Sequence, residues 1–269
     1  MMFRKLSLLL AGWCVIIALL APILHTIWVS FSPDSFLTPP TTVWSMKWYL
    51  SFLGDPRWTS ALLRSLLIAA LSAALAVALG APAALAVRKM HRRTRRFVTA
   101  WLMLPVWIPP AALGFGLLPL THFTGLWGST LAMVLVHATL GLPIAFLFVR
   151  ATRLETLDDL EAAARGLGAD RFSVVTRITI PLLKPTLLAA GAAVFVLSLN
   201  ESLVSIFLAT PTNETLPVVI WPQLRYAPSP IVAVASCVTA AIGASGMLIV
   251  LHSLSKTGSH RGNSQATDN

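Results

Sequence analysis

Six long apolar runs divide the chain, and shorter polar or basic segments separate them. The runs cover residues 7–30, 61–87, 97–120, 130–149, 182–209 and 231–251. A helix that crosses a bilayer needs roughly 20 mostly apolar residues, and every run is of about this length. None of the runs alternates apolar and polar residues, as the strands of a membrane barrel do. The pattern predicts an all-α integral membrane protein with six transmembrane helices.

The first run has one feature of a signal peptide, because Arg4 and Lys5 precede it. It continues for about 24 residues, however, which exceeds the usual apolar region of a signal peptide. No clear small-x-small cleavage site follows it, so we expect an uncleaved first helix. We divide the chain into residues 1–60, the first helix with an outer loop, and residues 61–255, the transmembrane core. Residues 256–269 form a polar tail that we expect to be disordered.

The composition supports a membrane protein, and the positions of the charged residues explain the positive net charge. Hydrophobic residues make up 56% of the chain and charged residues only 11%, against roughly a quarter in soluble domains. The formal charge of +10 is compatible with nucleic-acid binding. Most lysines and arginines nevertheless fall on one side of the predicted membrane: Arg4, Lys5, Arg88, Lys89, Arg92, Arg93, Arg95, Arg96, Arg150, Arg153, Arg165, Arg171, Arg177, Lys184, Lys256 and Arg261.

This asymmetry predicts the topology. The side rich in lysine and arginine is cytoplasmic by the positive-inside rule, and an even number of spans places both termini there. The basic run 88–96 then faces anionic lipid, so the bilayer and not a nucleic acid is the expected partner of these charges.

Polar residues and helix breakers inside the runs mark candidate pathway positions. The third run contains four prolines and two glycines, which predicts a kinked or broken helix beside a cavity. The fifth run contains Asn200 and Glu201, and Glu201 is the only acidic residue well inside an apolar run. An ionisable group there faces a water path or hydrogen-bonds a neighbouring helix. His137 of the fourth run is interpreted as a packed, hydrogen-bonded histidine.

The sequence offers no set of residues for enzymatic catalysis. It contains no phosphate-binding G-x-x-x-x-G-K-[ST] loop, no H-E-x-x-H and no G-x-S-x-G. The two cysteines, Cys14 and Cys237, lie far apart and fit neither a metal cluster nor a disulfide framework. We therefore predict a chain that is not an enzyme and that binds no metal or cofactor.

The segment between the fourth and fifth runs has the pattern of a short helix–turn–helix. Leu160, Ala163 or Ala164, and Leu167 recur at helical spacing and form one apolar stripe. Gly166 and Gly168 end the first helix, and Asp170 caps a second one. Pro181 is expected to stop that second helix before the fifth span. Such a segment either docks a partner or lies on the lipid surface.

This segment resembles the EAA loop in the inner-membrane permeases of binding-protein-dependent ABC importers. The family pattern is E-A-A, three residues, G, nine residues and I-x-L-P. Here Gly168 and nine further residues lead to Ile178-Thr-Ile-Pro181, while Ala162, Ala163 and Ala164 occupy the E-A-A positions. The glutamate is displaced by one residue, to Glu161, and Ile180 replaces the leucine.

The resemblance implies a type I importer fold of six transmembrane helices, with this loop as a cytoplasmic coupling helix between helices four and five. It implies a location in the bacterial inner membrane, where the chain works by alternating access. The expected partners are a second permease, a cytoplasmic ATPase dimer that uses the ATP, and a periplasmic substrate-binding protein. The ATPase contacts would come from Glu161, Ala162, Ala163, Ala164, Leu167, Gly168, Ala169, Asp170, Ile178 and Pro181.

The stretch 198–221 further resembles the spermidine/putrescine branch of this family. That branch often has an acidic residue at the position of Asn200, and here Glu201 stands beside it. The resemblance implies polyamines or similar small organic cations as substrate, with Asn200 and Glu201 in the pathway. A different substrate of the same importer class (sugar, amino acid or phosphonate) and a self-sufficient channel or secondary transporter are the alternatives.

Overall fold

The protein folds into helices joined by short connections. A computed structural model describes residues 2–40, 43–152 and 155–262, and these ranges contain no strand. The all-α prediction is therefore confirmed. The helices are α1 (Met2–Val29), α2 (Lys47–Gly54), α3 (Pro56–Arg88), α4 (Arg92–Trp107), α5 (Pro110–Phe123), α6 (Thr130–Ala151), α7 (Glu155–Gly166), α8 (Arg171–Val174), α9 (Ile180–Leu199), α10 (Leu203–Leu208), α11 (Leu216–Tyr226) and α12 (Pro230–Gly262), with a π-helical turn at Val175–Thr179 between α8 and α9.

Five of the described helices are long and apolar enough to cross a membrane, and a bent pair supplies a sixth span if α4 and α5 count as one. The two helices meet at 100°. Ile108 and Pro109 adopt extended backbone at the bend, because each precedes a proline and the α region is disfavoured there. The predicted break in the third run is thus confirmed.

The centre of the bundle is formed by α3, α6 and α9. A cluster of small buried residues lies where they meet: Ala73, Ala76, Ala145, Ala190 and Val194. A Cβ atom added to Gly80 would lie 3.0 Å from the Cβ of Ala145, and one added to Gly141 would collide with Val194. Small side chains let helices approach closely in lipid, where packing rather than water exclusion drives association.

Two larger clusters close the ends of the bundle. At one end Phe52 of α2 and Trp58 of α3 pack with Leu216 of α11 and Ile231 of α12. At the other end Val87, Phe146, Val149, Leu157 and Leu183 pack together. We call this second end the basic face, since Arg88, Lys89 and Arg165 lie there, and the first end the opposite face. Leu157 belongs to α7, so the predicted loop helix packs directly on the ends of the spans.

Three predicted boundaries are wrong. The fifth span does not continue to residue 209, since α9 ends at Leu199 and α10 is a separate short helix that packs on α5. Pro181 does not stop a helix, because α8, the π-helical turn and α9 form one span over Arg171–Leu199. The second span begins before residue 61, since α3 starts at Pro56, and the segment 31–60 also contains the short helix α2. The tail expected to be disordered, residues 256–269, overlaps α12, which ends at Gly262. Residues 263–269 lie outside the described residues.

The π-helical turn explains how Pro181 is accommodated. The backbone N–H of Ile180 bonds the carbonyl of Val175, five residues earlier. A proline inside an α-helix lacks an N–H and its ring clashes with the carbonyl four residues before it. The wider π turn directly before Pro181 offers space for the ring.

Candidate functional site

The helix α7 has two different sides. Leu157 and Glu161, four residues apart, are both buried against the membrane core. Leu160 and Leu167 point away from it, and Leu167 is 91% exposed. Ala162 and Ala163 are exposed as well. The predicted apolar stripe therefore exists, and the bundle leaves it uncovered.

The end of α7 is fixed by a Schellman motif around Gly168. The N–H of Gly168 donates to the carbonyl of Arg165 at 3.0 Å, and the N–H of Ala169 donates to that of Ala164 at 3.0 Å. Gly168 has a φ of +87°, which costs little for glycine and is strained for other residues. A Cβ atom added at Gly166 or Gly168 would meet no atom within 4 Å. The turn is therefore open to a partner.

Asp170 caps α8 as predicted. Its carboxylate accepts hydrogen bonds from the backbone N–H groups of Phe172, at 3.0 Å, and Ser173, at 3.3 Å. Hydrogen bonds from Ser173, first its side chain and then its backbone, lower the pKa of Asp170. Phe172, one residue into α8, is 76% exposed. The second helix thus adds another large apolar side chain to the exposed surface of the loop.

The buried side of α7 carries an ion-pair cluster centred on Glu161, which is only 6% exposed. One carboxylate oxygen, Oε1, accepts a hydrogen bond from the Thr179 hydroxyl at 2.8 Å. The other, Oε2, lies 3.3 Å from a guanidinium nitrogen of Arg88 and 3.5 Å from Nζ of Lys89. Arg88 also pairs with Asp158 at 2.9 Å.

The cluster holds Glu161 ionised. Burial by itself raises the pKa of Glu161, but the Thr179 hydrogen bond and the charges of Lys89 and Arg88 outweigh it and lower the pKa below the ordinary value of glutamate. A single carboxylate therefore joins α7 to the end of α3 and to the π-helical turn before α9. These partners were not predicted from the sequence. The spacing of Glu161 and Leu157, one helical turn apart, was the available signal that both face the core.

The remaining predicted loop residues differ in whether they face the bundle or solvent. Ile178 is half-buried and packs against the cluster at the basic face. Ala164 and Ala169 are half-buried, whereas Pro181 is exposed at the start of α9. The structure thus separates the loop into an exposed apolar surface, formed by Leu160, Ala163, Leu167 and Phe172, and an inward side with Glu161 and Ile178.

Asn200 and Glu201 lie together at the break between α9 and α10. The Asn200 side-chain nitrogen donates to the Val196 carbonyl at 2.8 Å, and Asn200 is exposed. Glu201 is half-buried, and its Oε1 accepts the backbone N–H of Val204 at 3.0 Å. Glu201 therefore supplies a partner to a backbone N–H of the first turn of α10, whereas the Val196 carbonyl also accepts the backbone N–H of Asn200 at 3.3 Å.

His137 spans the same break from α6. Its Nδ1 lies 2.7 Å from Oγ of Ser198, before the break, and its Nε2 lies 2.9 Å from Oγ of Ser205, after it. All three side chains are buried. The prediction of a packed, hydrogen-bonded histidine is confirmed, and the two serines were not foreseen. The described residues contain no group of three or more histidine, cysteine or acidic side chains suited to a metal ion.

The family described as "Binding-protein-dependent transport system inner membrane component" matches residues 76–257. That region includes the loop, the Glu161 cluster and the break after α9. The chain belongs to this family. As its members are inner-membrane transport components, the protein is a multi-pass permease and a transport subunit.

Relatives of this permease are named for different substrates. It is 29% identical over 185 residues to the spermidine/putrescine transport system permease protein PotC of Escherichia coli, covering 68% of this chain and 70% of that protein. It is 35% identical over 228 residues to a probable molybdenum ABC transporter permease of Haloferax volcanii, covering 81% and 78%. The trehalose transport system permease protein SugB of Mycobacterium tuberculosis is 31% identical over 206 residues, covering 75% of each chain.

The permease also shares its fold with solved transporters. A bacterial ABC transporter involved in the import of the acidic polysaccharide alginate aligns with a TM-score of 0.67 at 17% identity, over 95% of this chain and 96% of that one. A bacterial alginate ABC transporter in complex with an alginate pentasaccharide-bound periplasmic protein aligns with a TM-score of 0.66 at 15% identity, over 93% of this chain and 94% of that one. At these identities the likeness establishes the fold alone.

Proposed function

We propose that this permease forms the translocation pathway of an ATP-driven importer and that its α7–α8 loop is the coupling element. The observation that carries the proposal is the two-sided construction of the loop. Its outer side leaves Leu167 and Phe172 exposed, while its inner side is tied to α3 and α9 through Glu161. We call the exposed apolar surface of Leu160, Ala163, Leu167 and Phe172 the docking surface. A partner that binds it and pushes on it moves the ends of two central spans.

The partner proposed for this surface is a cytoplasmic ATPase dimer, which binds and hydrolyses the ATP. The other proposed partners are a second permease and a periplasmic substrate-binding protein. The test measures transport in proteoliposomes, first with the purified chain alone and then with ATPase, second permease and binding protein added. We expect substrate uptake only in the complete system with ATP. Uptake by the chain alone would identify a channel or secondary transporter instead.

A variant of the docking surface tests the contact itself. Leu167→Ser removes an exposed apolar side chain without opening the core, so we expect normal folding and weakened binding of the ATPase. Leu79→Ser, at an exposed position of α3 away from the loop, is the matched control. Equal ATPase binding by wild type and Leu167→Ser would contradict the docking role.

We propose that the basic face is cytoplasmic and that both termini lie on that side. The concentration of lysine and arginine at this end supports the orientation. Single cysteines introduced at Gly168 and at Thr212, in a background without Cys14 and Cys237, test it in intact cells. We expect an impermeant thiol reagent to label the position at 212 and not the one at 168. The reverse labelling would overturn the orientation.

For the substrate, polyamines or similar small organic cations are our first candidate. The resemblance to a spermidine/putrescine permease and the half-buried carboxylate of Glu201 at the break support it. An oxyanion is the second candidate, because the molybdenum permease is 35% identical over 81% of this chain. Uptake of labelled spermidine, molybdate and trehalose by the complete transporter distinguishes cation, oxyanion and sugar. Uptake of molybdate or trehalose without spermidine would refute the first candidate.

A further inference from the structure

A cavity of about 730 Å³ opens at the basic face, between the end of α3 and the segment from α7 to α9. Its floor is apolar and includes Val77, Ala81 and Leu183. Its mouth is lined by charged side chains: Arg88, Lys89, Glu161, Arg165 and Arg171. The cavity thus combines an apolar interior with a strongly basic entrance.

The charges at the entrance are not balanced within the described residues. Glu161 and Asp158 are engaged with Arg88 and Lys89. Arg165 and Arg171 form no ion pair with any described residue. Arg165 uses its Nε to donate to the backbone carbonyl of Glu161 at 3.1 Å, which fixes one guanidinium at the mouth. An anion at this place is therefore favoured by charge.

A second cavity of about 510 Å³ continues the apolar floor into the depth of the spans. The two cavities share Val77, Ile180 and Leu187, and the second one reaches Ala73 and Phe195. From Lys89 to Ala73 the groove extends about 24 Å along α3, at 1.5 Å per residue. The hydrocarbon of one leaflet is about 15 Å thick, so the groove is long enough for a head group and an acyl chain.

We propose that this groove binds an anionic phospholipid of the cytoplasmic leaflet. The phosphate lies against Arg165 and Arg171, and one acyl chain follows the apolar groove between α3 and α9. Basic pockets between transmembrane helices on the cytoplasmic side are suited to anionic head groups, and an acyl chain fills an apolar groove that water would occupy unfavourably. The proposal requires the cytoplasmic orientation of the basic face and is independent of the transported substrate.

Native mass spectrometry of the full-length chain tests the site. The chain in mild detergent is mixed with equal amounts of phosphatidylglycerol and phosphatidylcholine with the same acyl chains. We expect preferential retention of one phosphatidylglycerol. The double variant R165Q/R171Q should lower this preference about tenfold. The control R92Q/R93Q loses two exposed arginines of α4 that do not line the groove, and it should keep the preference.

A second pair of variants tests the acyl chain. Ala78 lines the cavity and is exposed, so Ala78→Phe fills the groove and should reduce retention of the lipid. Leu79→Phe, one residue further along α3 and outside the groove, should not. Excess inorganic phosphate should fail to displace the lipid, since it has no apolar part.

Four results would overturn the proposal. Equal retention of phosphatidylglycerol and phosphatidylcholine would show that the site does not select an anionic lipid. An equal loss of preference in R165Q/R171Q and R92Q/R93Q would show that the preference comes from the net charge of the chain and not from this groove. Displacement by inorganic phosphate would indicate a site for a soluble anion. Loss of the lipid on assembly with the second permease and the ATPase would identify the groove as a subunit interface. The cysteine-labelling experiment tests the orientation separately, so failure of the lipid site and failure of the topology are distinguishable.

Discussion

Glu161 and Glu201 both lie beside an apolar span, but their hydrogen-bond partners lie at very different distances along the chain. Glu161 contacts Thr179, 18 residues away, and Arg88 and Lys89, more than 70 residues away. Glu201 accepts one backbone hydrogen bond from Val204, three residues away. The first carboxylate joins three segments of the fold, whereas the second completes a local turn. The chemistry of the side chain is the same, and the neighbours decide its role.

Glu161→Gln should have the largest effect on stability. The amide can keep the Thr179 hydrogen bond, but Arg88 and Lys89 lose the negative charge between them. We expect a loss of about 2–3 kcal/mol in the free energy of unfolding, measured by denaturant unfolding in detergent. Asp159→Asn removes an exposed acid of the same helix and should change stability by less than about 0.5 kcal/mol. A similar small effect of both variants would show that the cluster does not anchor α7.

Acidification should reproduce the loss in the wild type. Because the folded-state pKa of Glu161 is lowered from 4.5, its contribution is fully present above that value and is lost as the pH falls through the folded pKa. We expect the stability difference between wild type and Glu161→Gln to be constant near neutral pH and to shrink below about pH 4.5. A difference that stays constant down to the acid limit would mean that the charge of Glu161 is not what stabilises the loop.

Gly168→Val should have an intermediate effect on stability, because valine does not suit the backbone conformation of Gly168. The positive φ at Gly168 costs a β-branched residue about 1–2 kcal/mol, although the added atoms meet no neighbour. We expect this loss in unfolding measurements and a lower ratio of transport to ATP hydrolysis in the complete transporter. Gly166→Val has the same open surroundings without the positive φ and should cost less. Unchanged coupling in Gly168→Val would speak against docking at this turn.

Glu201→Gln should have the smallest effect on stability, less than about 1 kcal/mol, because the amide oxygen can still accept the Val204 hydrogen bond. If the carboxylate faces a cation pathway, uptake of a cationic substrate should fall more than uptake of a neutral one in the complete transporter. Equal changes for both substrates would leave Glu201 with a structural role only. The control is Glu214→Gln, which alters an exposed ion pair with Arg57.

The loop shows how far local patterns reach. The spacing of Leu160, Ala163 and Leu167 predicted the apolar stripe, and the glycine pattern predicted the turn at Gly168, because both depend on residues within one helical turn. The motif comparison identified Glu161 as a displaced glutamate, but it did not predict that Glu161 is buried. Its partners come from α3 and from the turn before α9, and no local pattern indicates which distant cations a carboxylate will meet.

The fifth span contains a helix break that hydropathy alone did not predict. The apolar run continues past residue 199, so hydropathy alone predicted one helix to residue 209. The chain instead breaks at Asn200, where the Glu201 carboxylate accepts the backbone N–H of Val204 and His137 contacts serine hydroxyls on both sides of the break. Hydropathy does not reveal such a break, because a break is stable inside a membrane protein only where nearby groups of the protein supply hydrogen bonds to it.

The amino-acid sequence alone predicts the all-helical membrane fold, the broken third span, the accumulation of positive charge at one side and the two short helices of the loop. Each of these follows from hydropathy, proline chemistry or spacing within one or two helical turns. The folded arrangement of the helices was needed to show that Glu161 faces the core while Leu167 faces outward, that α10 packs on α5, and that a groove with a basic entrance lies between α3 and α9. These features depend on contacts between segments that are distant in the chain, and such contacts are set by packing.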